Sequence, residues 1–510
     1  MTPFDFFQSA VLRYPDAEAA VVLSGNCEVL ERASFKELER KVLSFAAALQ
    51  DLTGQQRPRV VLVCHNGMAM LTAILATYLC RGVLIPLTPN NPEAELREQI
   101  GVAKADVIVI DDTVQSLSSG HSVPVVQIGA AQEGVDSFEA LLTRFADALP
   151  QVPEAQGEDI IALKFTGGSS GRPKAVLQSV RCLNTMISSI QQVYAFSATD
   201  RFLLNPPMTH GAGAFVLPVL ASGGALVIMD GVRAEPLLDA MSAQEVTGIW
   251  VPPTLMYQML DAQQVKPRAV PRLRNLLYGG AGSTMERLLQ ARTLLGPVIG
   301  VTYGLTEAPV IIAGMPGSDS AHDVNLGSAG RCGPLTRLGI MGQGGMLCAP
   351  NELGEVVARG DLLMSGYLDM PKETAQVMSH GWLKTGDVGY LDERGYLYIK
   401  GRSKDVIISG GFNIYPSDVE EALARHDDVA ESVVFGIPDA HWGERVEAVV
   451  ELKRGRSIAP EALRLHIREK LGAVRTPKAI HLISDLPRNS LGKVQKRQLR
   501  DELVSKFGKT

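Results

Sequence analysis

The densest run of chemistry-bearing residues is Lys164-Phe165-Thr166-Gly167-Gly168-Ser169-Ser170-Gly171-Arg172-Pro173-Lys174. Its glycines permit tight turns, Thr166, Ser169 and Ser170 offer hydroxyls, and Arg172 and Lys174 bring two cations. A loop of this composition can wrap polyphosphate oxygens with N–H and O–H donors while the cations offset the charge. A phosphate loop of the G-x-x-x-x-G-K-[S/T] type is excluded, because Pro173 intervenes before Lys174. A second reading takes Gly167-x-Ser169-x-Gly171 as the sharp turn of a serine hydrolase, with His210-Gly211-Ala212-Gly213 as its oxyanion-hole turn. In such hydrolases the oxyanion turn precedes the serine, and here it follows. The third reading is a plain flexible loop.

Whatever this loop does, a packed frame must hold it. The chain has 510 residues, 46% hydrophobic and 20% charged, which supports several packed domains and excludes disorder as the main state. A net charge of −6 with no strongly basic block argues against a nucleic-acid partner. The six cysteines (Cys27, Cys64, Cys80, Cys182, Cys332, Cys348) show no C-x-x-C and no zinc spacing, and read as reduced core thiols. No basic and apolar leader opens the chain. Val60–Cys80 carries no charge, but His65-Asn66-Gly67 in its middle makes a strand, turn and helix the better reading than a membrane span. A cytoplasmic protein is expected.

Ser34-Phe35-Lys36-Glu37 matches a capping box opening a helix that runs to Leu49. Buried strands are expected at Val60–Cys64, Val83–Leu87, Asp106–Ile110, Ile160–Phe165, Ala225–Met229, Thr247–Val251 and Leu273–Tyr278, with helices at Met68–Cys80 and Glu93–Val102. Strands alternating with helices imply a mostly parallel sheet covered on both faces. From Glu352 short strands and glycine turns take over. Beyond Arg402 a compact α+β piece is expected: Val406–Ile408, helix Ser417–Arg425, strands near Ala430–Gly436 and Val446–Leu452, helix Pro460–Leu471. The polar Gly401-Arg402-Ser403-Lys404-Asp405 is the candidate linker.

Six further segments turn the loop into a specific signal: Tyr278-Gly279-Gly280-Ala281-Gly282; Tyr303-Gly304-Leu305-Thr306-Glu307; Trp382-Leu383-Lys384-Thr385-Gly386-Asp387; Gly401–Asp405; Ser409-Gly410-Gly411-Phe412-Asn413-Ile414-Tyr415-Pro416; and Leu486-Pro487-Arg488-Asn489-Ser490-Leu491-Gly492-Lys493. In this order and spacing, from about Phe4 to Arg500, the chain resembles the adenylate-forming superfamily of acyl-CoA synthetases, luciferase-like enzymes and peptide-synthetase adenylation domains. The resemblance implies an α/β fold, with a large multi-sheet N-terminal domain (1–403) and a small mobile C-terminal α+β domain (404–510).

It also implies a two-step reaction: a carboxylate attacks the α-phosphate of Mg-ATP to give an acyl-adenylate and pyrophosphate, and an acceptor then displaces AMP. Two anions must meet, so positioning and charge neutralisation should dominate. By resemblance, Thr166, Ser169, Ser170, Gly171 and Lys174 hold the β- and γ-phosphates, Thr306 contacts the α-phosphate and Glu307 ligates Mg²⁺. Gly279, Gly280 and Ala281 form an edge for adenine, Tyr303 offers its face for stacking beside Gly304, and Asp387 accepts from the ribose hydroxyls with Arg402 nearby. Lys493 reaches in from the small domain for the first step. That domain then turns about Lys404 to present Gly410 and Gly411 to a pantetheine arm.

By resemblance, Gly211 stands where relatives that activate amino acids carry Asp and those that activate ortho-hydroxybenzoates carry Asn, so neither an α-amino acid nor a dihydroxybenzoate or salicylate is expected. His210 gates or lines the carboxylate entrance by the same resemblance. Ala214, Phe215, Gly280, Gly304, Pro309 and Val310 would line a pocket for a neutral-tailed aromatic, cyclic or medium-chain acid. No carrier domain is expected after Lys493, so the acceptor arrives in trans. It is coenzyme A by default, with a free carrier protein, an amine or O₂ as alternatives. Gly167 and Ala175 depart from the usual Ser and Gly of the loop. A monomer or homodimer is expected, and the hydrolase on Ser169 remains the alternative of another class.

Overall fold

The structure, a computed structural model, describes residues 1–130, 132–166, 173–231, 233–439, 441–488 and 494–507. Expectations for Ser169, Ser170, Gly171 and Lys493 therefore lie outside the described residues.

The alternating pattern of the first three hundred residues forms two sheets rather than one. A nine-stranded sheet runs in spatial order Arg331–Cys332, Ala313–Met315, Ile299–Tyr303, Asn275–Gly279, Gly248–Val251, Arg201–Leu204, Ala225–Ile228, Glu18–Leu23 and Val29–Ser34. Its centre is parallel and both edges are antiparallel. An eight-stranded sheet runs Gly366–Tyr367, Lys174–Ser179, Ile160–Thr166, Val83–Leu87, Arg59–Val63, Val107–Ile110, Val125–Gln127 and Asp136–Ser137. The expected capping box opens helix Phe35–Thr53: Glu37 N donates to Ser34 Oγ (3.3 Å) and Ser34 N donates to the Glu37 carboxylate (2.8 Å). Gly54, at φ +64°, closes it in the left-handed conformation that glycine adopts freely.

This helix, Met68–Leu79 and Val180–Tyr194 fill the space between the two sheets, giving one continuous apolar core that reaches Leu383 and Leu397. Those two belong to a five-stranded antiparallel sheet built from Thr336–Met341, Gly354–Gly360, Met378–Ser379, Trp382–Leu391 and Leu397–Arg402. The last hundred residues close a core of their own. Five strands (Ile407–Ser409, Phe412–Ile414, Val429–Asp439, Gly443–Leu452, Ala479–Ile483) carry helices Pro416–Ala424 and Pro460–Leu471 on one face. Helix Lys496–Phe507 covers the other through Leu499 and Leu503.

Two expectations need correction. Only Cys64, Cys80 and Cys182 are core thiols, while Cys27, Cys332 and Cys348 are half-buried. Phe215 lines no pocket: it is fully buried and stacks on Phe202 at 4.9 Å between ring centroids, as part of an aromatic cluster with Tyr194 and Phe196. Among the described residues no helix is long and apolar enough to cross a membrane.

Candidate active site

The phosphate-side residues sit on a hairpin. Strands Ile160–Thr166 and Lys174–Ser179 pair antiparallel with Thr166 opposite Lys174, so both mark the mouth of the glycine-rich loop. Strand Gly366–Tyr367 pairs with Val176 and Leu177 and brings the Tyr367 ring under the Lys174 ammonium, 5.2 Å from Nζ to the ring centre. The Tyr367 hydroxyl donates to Glu307 Oε1 at 2.7 Å. Burial and the Glu307 carboxylate push the tyrosine pKa up, so it stays a donor. Lys174, Tyr367 and Glu307 are thus one connected set. The turn carrying Thr306 and Glu307 is fixed by its backbone: Thr306 O accepts from Gln178 Nε2 (2.8 Å) and Glu307 O from Met364 N (2.8 Å). The Thr306 hydroxyl has no partner among the described residues.

A second connected set lies on the third sheet. Asp387, 6% exposed, stands opposite Arg402 in the strand ladder. Its Oδ1 lies 3.1 Å from Arg402 Nε, and its Oδ2 accepts from the Tyr303 hydroxyl at 2.7 Å. Burial first, then the Asp387 charge, hold the Tyr303 hydroxyl protonated. Tyr303 ends a strand beside Gly279, and the glycines there differ in purpose. A Cβ at Gly279 would lie 2.3 Å from Thr302 Oγ1, so Gly279 is required by packing. Gly280, at φ +80°, has nothing within 4 Å of its Cβ position and, with exposed Ala281, presents open backbone.

The third cluster surrounds His210. Its Nδ1 lies 2.7 Å from Thr209 Oγ1 and 3.2 Å from Thr88 Oγ1. Burial, with the Lys164 ammonium adding to it, pushes the imidazole down to about 4, so it is neutral near pH 7. A Cβ at Gly211 would come 2.7 Å from the Trp250 indole, whose Nε1 donates to Thr302 Oγ1 at 3.0 Å. The loop ahead of His210 is clamped by Asn66. Its amide donates to the carbonyls of Asn205, Pro206 and Met229 at 3.1–3.2 Å, and its Oδ1 accepts from Met208 N at 2.8 Å. A Cβ at Gly304 would meet the Val310 backbone at 2.5 Å. Val310 itself is β-branched at φ +62°, a conformation costing roughly 1–3 kcal/mol that the close approach imposes.

Lys404 lies in the exposed turn Ser403–Asp405, two residues beyond the Arg402–Asp387 pair. The small lobe is tied to the large one by Lys400 with Asp418 (3.0 Å) and Lys453 with Glu286 (3.5 Å). Gly410 and Gly411 form the hairpin turn between Ile407–Ser409 and Phe412–Ile414, both at positive φ. Trp442 packs where a Gly410 side chain would go, while Gly411 is open and Ile408 and Phe412 beside them are exposed. The structure thus gathers Thr166, Lys174, Thr306 and Glu307 with Tyr367, and Tyr303, Asp387 and Arg402 with one another. Tyr367, Trp250, Thr88, Asn66 and Gln178 were not singled out by sequence, since their partners lie far along the chain.

The family profile described as AMP-binding enzyme matches residues 7–368, and that of its C-terminal domain matches 418–493. Medium/long-chain-fatty-acid–CoA ligase FadD8 of Mycobacterium tuberculosis is 33% identical over 67% of this chain, which spans 61% of that relative's length. Indoleacetate–CoA ligase of Aromatoleum aromaticum is 30% identical over 93% of this chain and 94% of its own. The solved structure of the amide bond synthetase McbA of Marinactinospora thermotolerans superposes with a TM-score of 0.88 at 27% identity, covering 98% of this chain and 99% of that one. With two matched domains, this fold and these side-chain sets, the chain belongs to the AMP-binding, adenylate-forming enzyme family.

Proposed function

We propose that this protein is an AMP-forming acid–CoA ligase, with residues 1–403 binding ATP and the acid and residues 404–510 carrying Lys493 and turning about Lys404. The observation that carries this reading is the pair of carboxylates, Glu307 and Asp387, each held by a tyrosine hydroxyl at 2.7 Å. Asp387, oriented by Tyr303 and Arg402, accepts from the ribose hydroxyls, and Gly280, Ala281 and the Tyr303 ring border the adenine. Thr166 and Lys174, with Ser169, Ser170 and Gly171, take the β- and γ-phosphates. The hydroxyl of Thr306, without a partner among the described residues, and the ammonium of Lys493 serve the α-phosphate, where charge develops. Glu307 keeps Oε2 clear of Tyr367 and so fits a hard cation; bound Mg²⁺ would neutralise phosphate charge there.

The Trp250 indole beneath Gly211 occupies the space an Asp side chain would need, which favours a neutral-tailed aromatic, cyclic or medium-chain acid over an amino acid. Neutral His210 lines the carboxylate entrance. Open Gly411, rimmed by exposed Ile408 and Phe412, suits the narrow pantetheine arm of coenzyme A. Similarity to an amide bond synthetase favours an amine as the second acceptor. Incubation with Mg-ATP and a panel of carboxylic acids, with coenzyme A, with an amine or with neither, should yield pyrophosphate and AMP, and a thioester in the coenzyme A arm. An amide instead would select the second acceptor, and ADP as product would overturn the reading.

A further inference from the structure

Lys164 has a position that the nucleotide chemistry does not use. It stands on the strand Ile160–Thr166 opposite Val176, two residues before Thr166, so both side chains leave the same face about 6.6 Å apart along the strand. The alternate residues Leu163 and Phe165 pack into the core on the other face, while Ala162 and Val176 share the Lys164 face. That face looks into the gap between the two large sheets, toward Cys182 on helix Val180–Tyr194 and toward His210, which precedes the short helical turn Gly211–Phe215 and meets Thr88 just beyond the neighbouring strand Val83–Leu87.

The ammonium has no counter-ion among the described residues. Lys164 makes no hydrogen bond or ion pair with any described residue, and no carboxylate among them lies near enough to act on it. Its one polar neighbour of acidic type, Cys182, is a neutral thiol that donates to Leu362 O at 3.0 Å and whose pKa burial raises to about 12. The side chain is only half-buried as a whole, yet its charged end is enclosed deeply enough for desolvation to pull its pKa down to about 8. A lysine so placed is a standing cost to the empty protein, and a bound anion removes it.

We propose that the Lys164 ammonium is the counter-ion of the incoming acid, pairing with its reacting carboxylate beside His210 at the acid end of the cleft. This rests on the ligase reading and deepens it. Asp387 and Thr306 place the nucleotide, and Lys164 holds the second anion while the two approach. The neutral imidazole of His210 leaves this cation as the main attraction for the carboxylate, and the Trp250 indole accounts for the apolar remainder.

The test compares phenylacetate with its uncharged isostere phenylacetamide, each titrated by calorimetry into wild-type protein and into Lys164→Met and Lys164→Arg in the presence of a non-hydrolysable ATP analogue. The wild type should bind the carboxylate at least tenfold more tightly than the amide. Lys164→Met should abolish that preference while leaving amide and nucleotide binding within twofold, and Lys164→Arg should restore part of it. Lys164→Met should also melt at higher temperature than the ligand-free wild type, a gain that a purely structural lysine would not give. A wild type that does not prefer the carboxylate, or a Lys164→Met variant that keeps the preference or loses nucleotide binding instead, overturns the proposal. Retained carboxylate preference in a protein that never forms AMP would instead sink the ligase reading and leave the anion site standing.

Discussion

Replacing Tyr303 by Phe removes one hydroxyl and keeps the ring. In the structure that hydroxyl donates to Asp387 Oδ2 at 2.7 Å, and both partners are nearly buried, at 9% and 6% exposure. A hydrogen bond to a charged group contributes about 1.5–3 kcal/mol. Asp387 keeps the Arg402 contact at 3.1 Å, so the lower end, about 1.5 kcal/mol, is the better figure. If Asp387 grips the ribose, a carboxylate held by one contact fewer should weaken ATP about tenfold. The KM for ATP in acid-dependent AMP formation, or calorimetric binding of AMP, reads this directly, with the KM for the acid as internal control. Tyr303→Leu loses the ring as well and should cost roughly another 0.5–1.5 kcal/mol if the face stacks on adenine. ATP affinity within twofold of wild type in Tyr303→Phe would refute the assignment of Asp387 as a positioned ribose ligand.

Asn66→Ala strips the clamp from the loop ahead of His210, leaving Met208 N and three carbonyls without a side-chain partner; a loss of about 2–4 kcal/mol is expected by urea unfolding, with a raised KM for the acid. An unchanged unfolding midpoint would show that the clamp is dispensable. Gly211→Asp puts a side chain against Trp250, where its Cβ would already sit at 2.7 Å. Overpacking of about 1–3 kcal/mol and a tenfold or greater rise in acid KM should follow, with no gain of amino-acid activation and ATP KM unchanged. His210 is held neutral down to about pH 4, whereas in the unfolded chain it takes a proton near pH 6.5. The unfolded state therefore binds more protons in that window, so this contribution is complete above pH 6.5 and fades as pH falls toward 4, by up to about 3 kcal/mol. The melting temperature of His210→Asn should fall less steeply with acid than that of the wild type, and parallel curves would contradict the assignment.

The elements were legible where local signals are strong. Ser34 and Glu37 announce a helix start, and helices at Met68, Glu93 and Pro460 begin where the apolar periodicity puts them. The helix Pro3–Arg13, whose Asp5 carboxylate accepts from Thr2 N at 2.6 Å, was not anticipated, because so short an N-terminal segment offers little periodicity. Several sheets in the large domain were legible through the family resemblance, but the periodicity alone suggested one, since strand order depends on pairings such as Ala20 with Leu226 that no local window contains. The site shows the same division. Motifs marked Thr306, Glu307 and Asp387, but Tyr367 meets Glu307 only because its strand folds back on Val176. Phe215 looked like pocket lining from its neighbours in sequence, and the stack with Phe202 reassigns it to the core. Lys164, inside the loop motif, read as a strand residue until the fold brought the His210 loop near its ammonium.

The most direct test of adenylation is acid-dependent exchange of labelled pyrophosphate into ATP. Label should enter ATP only when a carboxylic acid is present, and both Lys493→Ala and Asp387→Ala should lower the rate by at least two orders of magnitude. Exchange that ignores the acid, or that survives loss of Lys493 at the wild-type rate, would contradict the reaction assigned to this cleft.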